Sequence, residues 1–479
     1  MTSPPTSPVS DAAFARSEAA WPITQDLRSW LTRLDDEGEL GVVRSRIDAD
    51  QDVAAVLEKT DGRRAVLFTD VADAQFPLVG NTVLGRDSLA RAMGCTPQET
   101  SARYAAALSN PRPCKEIAAQ DAPVLANRMD DARLLSMLPL TVQHEHDAGR
   151  YLTSALLAVR DPVSGTMNLS INRMLAVGER ELRVLVLPGR LRGVLDQAEL
   201  EGRDLDVAIV IGVDPLLFMA SQAPSDRELD DLEVASALRA DALPVTRCPS
   251  IDAVVPAGAE FVLEGRFRAG AREPEGPFGE FPRTYGPGGP SPVIDLLAGW
   301  HRDDPVFQTV LSGGREHFLI GGIPREAALL RTVHTAYRSV VAVRLPEAGS
   351  CRFNAVVALR DPGPGVAVNV MTAILSLSTV VKSVVVVDDD VDVYDDEQVT
   401  WAVATRVQAD RDVHIVSGMK GSSLDPSAAG GPTAKMGMDA TVPKAERGRY
   451  AQMRVMPTDD ARIAGYLAES AIGERGAAR

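Results

Sequence analysis

The sequence contains no uninterrupted apolar run of about 18 residues, which excludes a helix of the length that crosses a bilayer. It is poor in cysteine, with four in 479 residues: Cys95, Cys114, Cys248 and Cys351 lie far apart and form no C-x-x-C pair. That usage excludes a zinc knuckle, argues against a disulfide framework and fits the reduced thiols of a cytoplasmic protein. Basic charge is also scarce. Lysine and arginine total 50 against 66 acidic residues, a formal net charge of −16. Nucleic acid and anionic membrane surfaces both need a basic face, so neither is the expected partner. No basic, apolar-cored leader opens the chain. Met1 to Phe14 are rich in Pro, Ser and Thr, and residues 1–14 read as a mobile tail.

What is present is the composition of a soluble globular protein, 45% hydrophobic and 24% charged, long enough for two to four domains and suited to small-molecule chemistry. Leu27, Trp30, Leu31 and Leu34 recur at helical spacing and predict a helix over Asp26 to Leu40, with Gly38 as its stop. Extended stretches at Gly41 to Ile47, Arg64 to Val71 and Phe76 to Leu84 follow, then a helix at Asp87 to Met93. These make an N-terminal α/β domain over residues 15–125, closed where Pro111, Pro113 and Pro123 punctuate the chain.

Long β segments fill residues 126–312: Leu152 to Arg160, Thr166 to Val177, Glu181 to Leu187, Val207 to Val213 and Phe261 to Arg268. Helices near Leu191 to Leu200 and Asp226 to Ala240 interrupt them, and the whole predicts an antiparallel sheet or barrel. Residues 313–446 return to alternation, with helices at Pro324 to Thr332, Val368 to Val380 and Gln398 to Val407. Strands are predicted there at Ser339 to Leu345, Phe353 to Leu359, Val384 to Val387 and Val413 to Val416. Residues 447–479 form a short tail of helical pattern. The fold class is α/β, or more broadly an α+β multidomain chain.

The chemistry concentrates in Glu273 to Phe281. Glu275 and Glu280 are separated by Gly-Pro-Phe-Gly, which continues neither a helix nor a strand, so both acids sit on a shaped turn. Most charged turns are merely solvated. A turn that aims two carboxylates at one buried point could instead raise the pKa of one while the other stays charged, as acid/base work requires. Other features are weaker. The acids between Asp388 and Asp396 lack the glycine and glutamate of a calcium loop and read as caps of a strand end. His144 and His146 could face a metal from a strand but have no third ligand nearby. The small-residue loop Ser417 to Pro432 lacks P-loop spacing and reads as a possible lid.

Three strings occur together in order: Asn168-Leu-Ser-Ile-Asn-Arg173, Glu275-Gly-Pro-Phe-Gly-Glu280, and Lys435-Met-Gly-Met-Asp-Ala-Thr441. With them the chain resembles the UbiD-like decarboxylases over roughly residues 20 to 445. The resemblance implies an N-terminal α/β domain, a central split β-barrel like that of flavin reductases, a C-terminal α/β domain, and a homodimer or larger oligomer joined through the C-terminal segment. It implies prenylated FMN, delivered by a flavin prenyltransferase. The modified flavin of that family adds as a 1,3-dipole across the double bond of an α,β-unsaturated or aromatic acid, and the cycloadduct loses CO₂. Arg173, Glu275 and Glu280 match the family's catalytic network, with Glu280 as the proton donor. Thr153, Asn168, Ile171, Asn172, Arg173, Arg190, Ser221, Gln222, Ile320 and Lys435 fall at or near cofactor positions, Lys435 as a lid residue. The rival readings are a non-catalytic flavin-binding or scaffold subunit, and a carboxylase using the same residues. Natural-product tailoring is among the roles such enzymes fill.

The family also holds the cofactor phosphate through a divalent ion, usually Mn²⁺, with K⁺ nearby. Asn168 matches one ligand and Asp241 aligns best with the acidic one, but the expected histidine is absent, the local sequence being Pro188-Gly189-Arg190-Leu191-Arg192. Either an ion is kept by Asn168 and Asp241, or Arg190 or Arg192 neutralises the phosphate directly.

Overall fold

Leu27, Trp30, Leu31 and Leu34 do share one buried face, on the helix Leu27–Asp36, which Asp26 starts with a capping box to Ser29. Trp30 secures that face by donating its indole N–H to the Thr82 carbonyl at 2.8 Å. The computed structural model describes residues 25–469 apart from 225, 287, 429, 430, 452, 454, 455, 457 and 458. The predicted tail, residues 1–14, lies outside the described residues.

The architecture is mixed α/β. The first sheet runs Leu40–Val43, Ala65–Phe68, Leu78–Gly80 and then Phe307–Gln308, a strand from much later in the chain. A strand from the end of the central part of the chain thus completes the N-terminal sheet. At the other end, Asn354–Leu359, Ser383–Asp388 and Thr433–Ala440 pair in parallel, flanked by antiparallel Val340–Arg344 and Val413–Met419. The unbroken valines 384–387 occupy the middle strand, as a buried parallel strand requires.

The central sheet positions the site. Its order is Tyr151–Leu152, Met174–Val177, Glu181–Val184, Gly289–His301, Phe261–Glu275, Leu205–Ile211, Leu156–Arg160 and Met167–Ile171. The strands at 167–171 and 174–177 lie near opposite ends of that order, yet only Asn172 and Arg173 separate them. Such a connection reaches about 11 Å at most, so the sheet must curl until its ends nearly meet. It forms a curled half-barrel, with Arg173 in the seam. The predicted single strand Thr166 to Val177 is thus two strands broken at the seam. The predicted strand Phe261 to Arg268 is longer, running to Glu275 and pairing with 289–301 from Phe261↔His301 to Glu275↔Gly289, with register shifts after Glu264 and after Phe267.

The helix Arg315–Ala336 ties the parts together. It starts nine residues before the predicted Pro324, which lies buried inside it. Glu316 accepts from the Thr82 hydroxyl at 2.5 Å and the Val83 N–H at 3.1 Å, while Glu326 accepts from Arg86, Ser101 and the Leu345 N–H. Both carboxylates are buried, so each joins elements far apart in sequence through hydrogen bonds that water cannot replace cheaply. Asp388 accepts from Val442 N–H at 2.7 Å and from Arg447 at 3.1 Å at the end of its strand, while Asp395 of the same acidic cluster caps the helix Asp396–Arg406 instead.

Candidate active site

The long hairpin 261–275/289–301 delivers Glu275 as its last paired residue, and the connecting loop carries Glu280. The loop folds back because Gly276 takes φ +85°, open to glycine at little cost, and because a Cβ there would lie 2.9 Å from the Gly288 Cα. Gly286 is needed for space: a Cβ would sit 2.9 Å from Arg173 Nη1 and 3.0 Å from Glu280 Cγ. Into this loop reaches Arg173 from the seam. Its Nη2 donates to Glu275 Oε2 at 2.8 Å and its Nη1 to Glu280 Oε1 at 2.6 Å. One planar guanidinium therefore fixes both acids, a geometry lysine could not reproduce.

The two acids differ in surroundings. Glu275 is buried and accepts a further bond from the Tyr151 hydroxyl at 3.0 Å. Glu280 is slightly more open, and burial pushes its carboxyl up against the pull of Arg173, with the neighbouring Glu275 charge adding to the rise. Phe278 closes one side, its ring 4.3 Å from Tyr151 and 5.4 Å from the Arg173 guanidinium carbon. A strap braces the turn from behind. Asp147 accepts from the Gln143, His144 and Gly279 amides, and Ala148 N–H donates to the Pro277 carbonyl. His144 packs against Gly279 and Phe278, while the His146 amide donates to the Tyr285 hydroxyl at 3.1 Å. The paired histidines are thus part of the brace.

Arg173 and Glu280 open onto a cavity of about 420 Å³, within the range of cofactor pockets. Thr153, Ile171, Asn172 and Ile320 line it, as do Ser221 and Gln222, so the structure brings these expected cofactor residues together. Asn168 and Arg190 line it as well. Lys435 does not. Its ammonium is buried and donates to the carbonyls of Leu375 and Ser378, at 2.9 and 2.5 Å, capping the end of helix Val366–Leu377. A strand residue facing the helix behind it cannot act as a lid. The loop expected to be a lid does reach the cavity, through Ser422 and Leu424.

Three further groups on the wall escaped sequence reasoning. Arg325 and Arg352 meet no carboxylate among the described residues: Arg325 bonds the Gly321 carbonyl and Gln222 Oε1, and Arg352 the carbonyls of Phe318 and Cys351. Burial, with the Arg325 charge behind it, pushes the Arg352 guanidinium well down. His317 is pushed down to about 3, first by burial and then by these two cations. It is neutral, and its Nδ1 accepts from the Gly313 amide at 3.2 Å.

Models of three domains of 3-octaprenyl-4-hydroxybenzoate carboxy-lyase match in succession: the N-terminal domain at residues 31–108, the Rift-related domain at 115–315 and the C-terminal domain at 318–440. The chain belongs to the UbiD family. Among curated relatives, the anhydromevalonate phosphate decarboxylase of Methanothermobacter thermautotrophicus is 35% identical over 88% of this chain and 98% of its own. The decarboxylase of the same name from Aeropyrum pernix is 32% identical over 84% and 90%. Among solved structures, the UbiD-class enzyme HmfF from Pelotomaculum thermopropionicum, in complex with FMN, superposes with a TM-score of 0.89 at 42% identity, covering 92% of this chain and all of that one. Vanillic acid decarboxylase from Sedimentibacter hydroxybenzoicus, in open form, gives 0.82 at 26%, covering 94% and 99%. As a member of the UbiD family this protein is a carboxy-lyase. No helix among the described residues is long and apolar enough to cross a membrane.

The UbiD resemblance implies a divalent ion beside Asn168, and the residues of this chain do not fit one. Asp241 is exposed and, among the described residues, accepts only its neighbour's amide, Ala242 N–H, at 2.8 Å. The carboxylate at Asn168 is Asp231, which opens helix Asp231–Arg239. The helix expected over Asp226 to Ala240 starts later, at Asp231, with Asp230 as its cap, and the Asp230-Asp231 pair is the local signal of that start. One Asp231 oxygen, Oδ2, already accepts from Asn168 Nδ2 at 3.0 Å, Leu169 N–H at 2.7 Å and Arg190 Nη2 at 3.1 Å. Burial pushes this carboxyl up to about 7, against the pull of Arg190. A guanidinium thus stands where a divalent ion would need to be free of positive neighbours. No group of three or more His, Cys, Asp or Glu side chains among the described residues is placed to hold a metal.

Proposed function

We propose that this protein decarboxylates an α,β-unsaturated (dienoic or acrylic) or aromatic carboxylic acid, non-oxidatively and reversibly, with prenylated FMN supplied by a flavin prenyltransferase. The observation that carries the reading is the Arg173 fork, 2.8 and 2.6 Å from the two glutamates, at the wall of a cavity of cofactor size. Thr153, Ile171, Asn172, Ser221, Gln222 and Ile320 would hold the flavin, whose relatives in HmfF structures are FMN and its prenylated form. Bound there, prenylated FMN supplies the electron sink that lets the carboxylate leave as CO₂. The protein's own part is positional and protonic. Arg173 keeps Glu280 at a fixed place and brings positive charge to the acid substrate. Glu280, its carboxyl raised by burial, holds a proton and delivers it to the carbon that has lost CO₂. Phe278, Phe281, Val310 and Ile320 keep water from that carbon.

Arg325 and Arg352 favour a narrower class. Two cations on a cavity wall that pair with no carboxylate among the described residues suit a substrate bearing a second anionic group, as the name anhydromevalonate phosphate implies for the relatives' substrate. A non-catalytic subunit would have no use for the Arg173 fork, and carboxylation under high CO₂ is the same reaction reversed. A homodimer or larger oligomer belongs to this reading, with Ile415 and Leu377 exposed on the C-terminal module. The test is co-expression with a flavin prenyltransferase, the absorbance spectrum of the purified protein, and CO₂ release from cinnamate-like, dienoic and heteroaromatic acids with and without a second carboxylate or phosphate. Absence of both a flavin spectrum and CO₂ release across that set would refute the reading.

A further inference from the structure

The clearest feature left unused by the reaction is a cage of oxygens with a side chain inside it. Arg190 begins the helix Arg190–Leu200 and is buried. Its Nη1 donates to the carbonyls of Asp226 and Leu229, at 2.8 and 2.6 Å, and its Nη2 to the Met167 carbonyl at 2.8 Å and Asp231 Oδ2 at 3.1 Å. Three main-chain oxygens and a carboxylate gathered around one guanidinium are oxygen ligands of the kind a hard cation takes. Here the cation is covalently attached.

Two observations link that cage to the cavity. Arg190 and Asn168 both line it, together with residues 187–189 that lead into the helix start. Arg190 Nε and Asn168 Oδ1 are buried and have no partner among the described residues, so both still need one. A helix N-terminus with an unused guanidinium N–H beside it suits a phosphate monoester such as the tail of a flavin mononucleotide.

We propose that the Arg190 guanidinium is the resident cation of the cofactor-phosphate site, occupying the oxygen cage in place of metal ions, so that this chain binds flavin mononucleotide without a divalent or monovalent cation. The proposal rests on the flavin-binding reading above, and its test separates the two. The full chain is stripped with EDTA, exchanged into tetramethylammonium buffer, and titrated with FMN by fluorescence, then again with Mn²⁺ or K⁺ added; metal content is measured by plasma mass spectrometry.

The wild-type Kd is expected to change less than about twofold across these buffers, with metal well below one equivalent. Arg190→Met, which keeps the stem and loses the charge, is expected to weaken FMN at least about tenfold without cations and to regain affinity when K⁺ or Mn²⁺ is supplied. Arg190→Lys, which restores a point charge, is expected to fall between. Wild-type binding that collapses about tenfold on stripping and returns with Mn²⁺ would overturn the proposal while leaving the flavin reading intact, and this arm does not depend on any variant folding. Failure to bind FMN under every condition would overturn both.

Discussion

The sharpest test of the acid assignment is Glu280→Gln. Glutamine keeps the volume of the side chain, and its carbonyl can still accept from Arg173 Nη1, which stands 2.6 Å from Glu280 Oε1. Glu275 keeps its own two donors, Arg173 and Tyr151. The substitution therefore removes the transferable proton and little else. A positioned general acid contributes about 10²- to 10⁴-fold, or ~2.7–5.4 kcal/mol of barrier. CO₂ release by the flavin-loaded variant should fall by that factor in kcat, with KM and FMN affinity within about threefold of wild type. Deuterium uptake from D₂O at the product carbon should fall in parallel. The pH profile gives a second handle. Because burial raises the Glu280 pKa in the folded chain, the native state holds this proton longer than the unfolded chain does. Its contribution to stability is then present at low pH and is lost as pH climbs from about 4.3 through the raised native value. The folded enzyme gives up the proton needed for turnover only at the upper end of that window, so the wild-type rate should decline as pH passes the raised native value. A Glu280→Gln enzyme within about threefold of the wild-type rate, with the same alkaline limb, would refute the reasoning.

Other outcomes follow from the same geometry. Arg173→Met leaves Glu275 buried beside Glu280 without the shared cation; uncompensated buried charge costs about 3–5 kcal/mol, so urea unfolding should begin at distinctly lower denaturant and be partly restored at low pH. Gly276→Ala forces a side chain into φ +85° and against Gly288, which should cost about 1–3 kcal/mol in the same assay and displace Glu280 enough to lower turnover. Arg352→Gln should raise KM about tenfold for acids with a second anionic group and leave mono-acids nearly unchanged, measured by initial rates of CO₂ release.

How much of this could be read from the amino acids depended on whether the signal was local. The acid pair was readable because Gly-Pro-Phe-Gly can only be a bend, and the valines 384–387 because a doubly buried strand has no polar face to alternate. Arg173 could be placed only by resemblance: its seam exists because two strands distant in sheet order are adjacent in sequence, and periodicity sees them as one. Pro324 hid the first half of a helix, since its missing N–H signals a start and the packing around Arg315–Ala336 overrides that signal. Asp231 and Asp241 lie ten residues apart at either end of the helix Asp231–Arg239, and only the fold shows which of them reaches Asn168. Arg325 and Arg352 carry no local signature at all, because what distinguishes them is the absence of an acid in three dimensions.

The strand Phe307–Gln308 has a practical consequence. The first sheet is finished by a stitch that the chain supplies only after it has built the entire hairpin bearing Glu275 and Glu280. Excising the leading module would strand Phe307 without its neighbours Leu78 and Val79, exposing a bare sheet border, and a nascent chain cannot complete that module until well over half of it has been synthesised. The first two matched segments, 31–108 and 115–315, therefore share one sheet, and a cut between them would divide it.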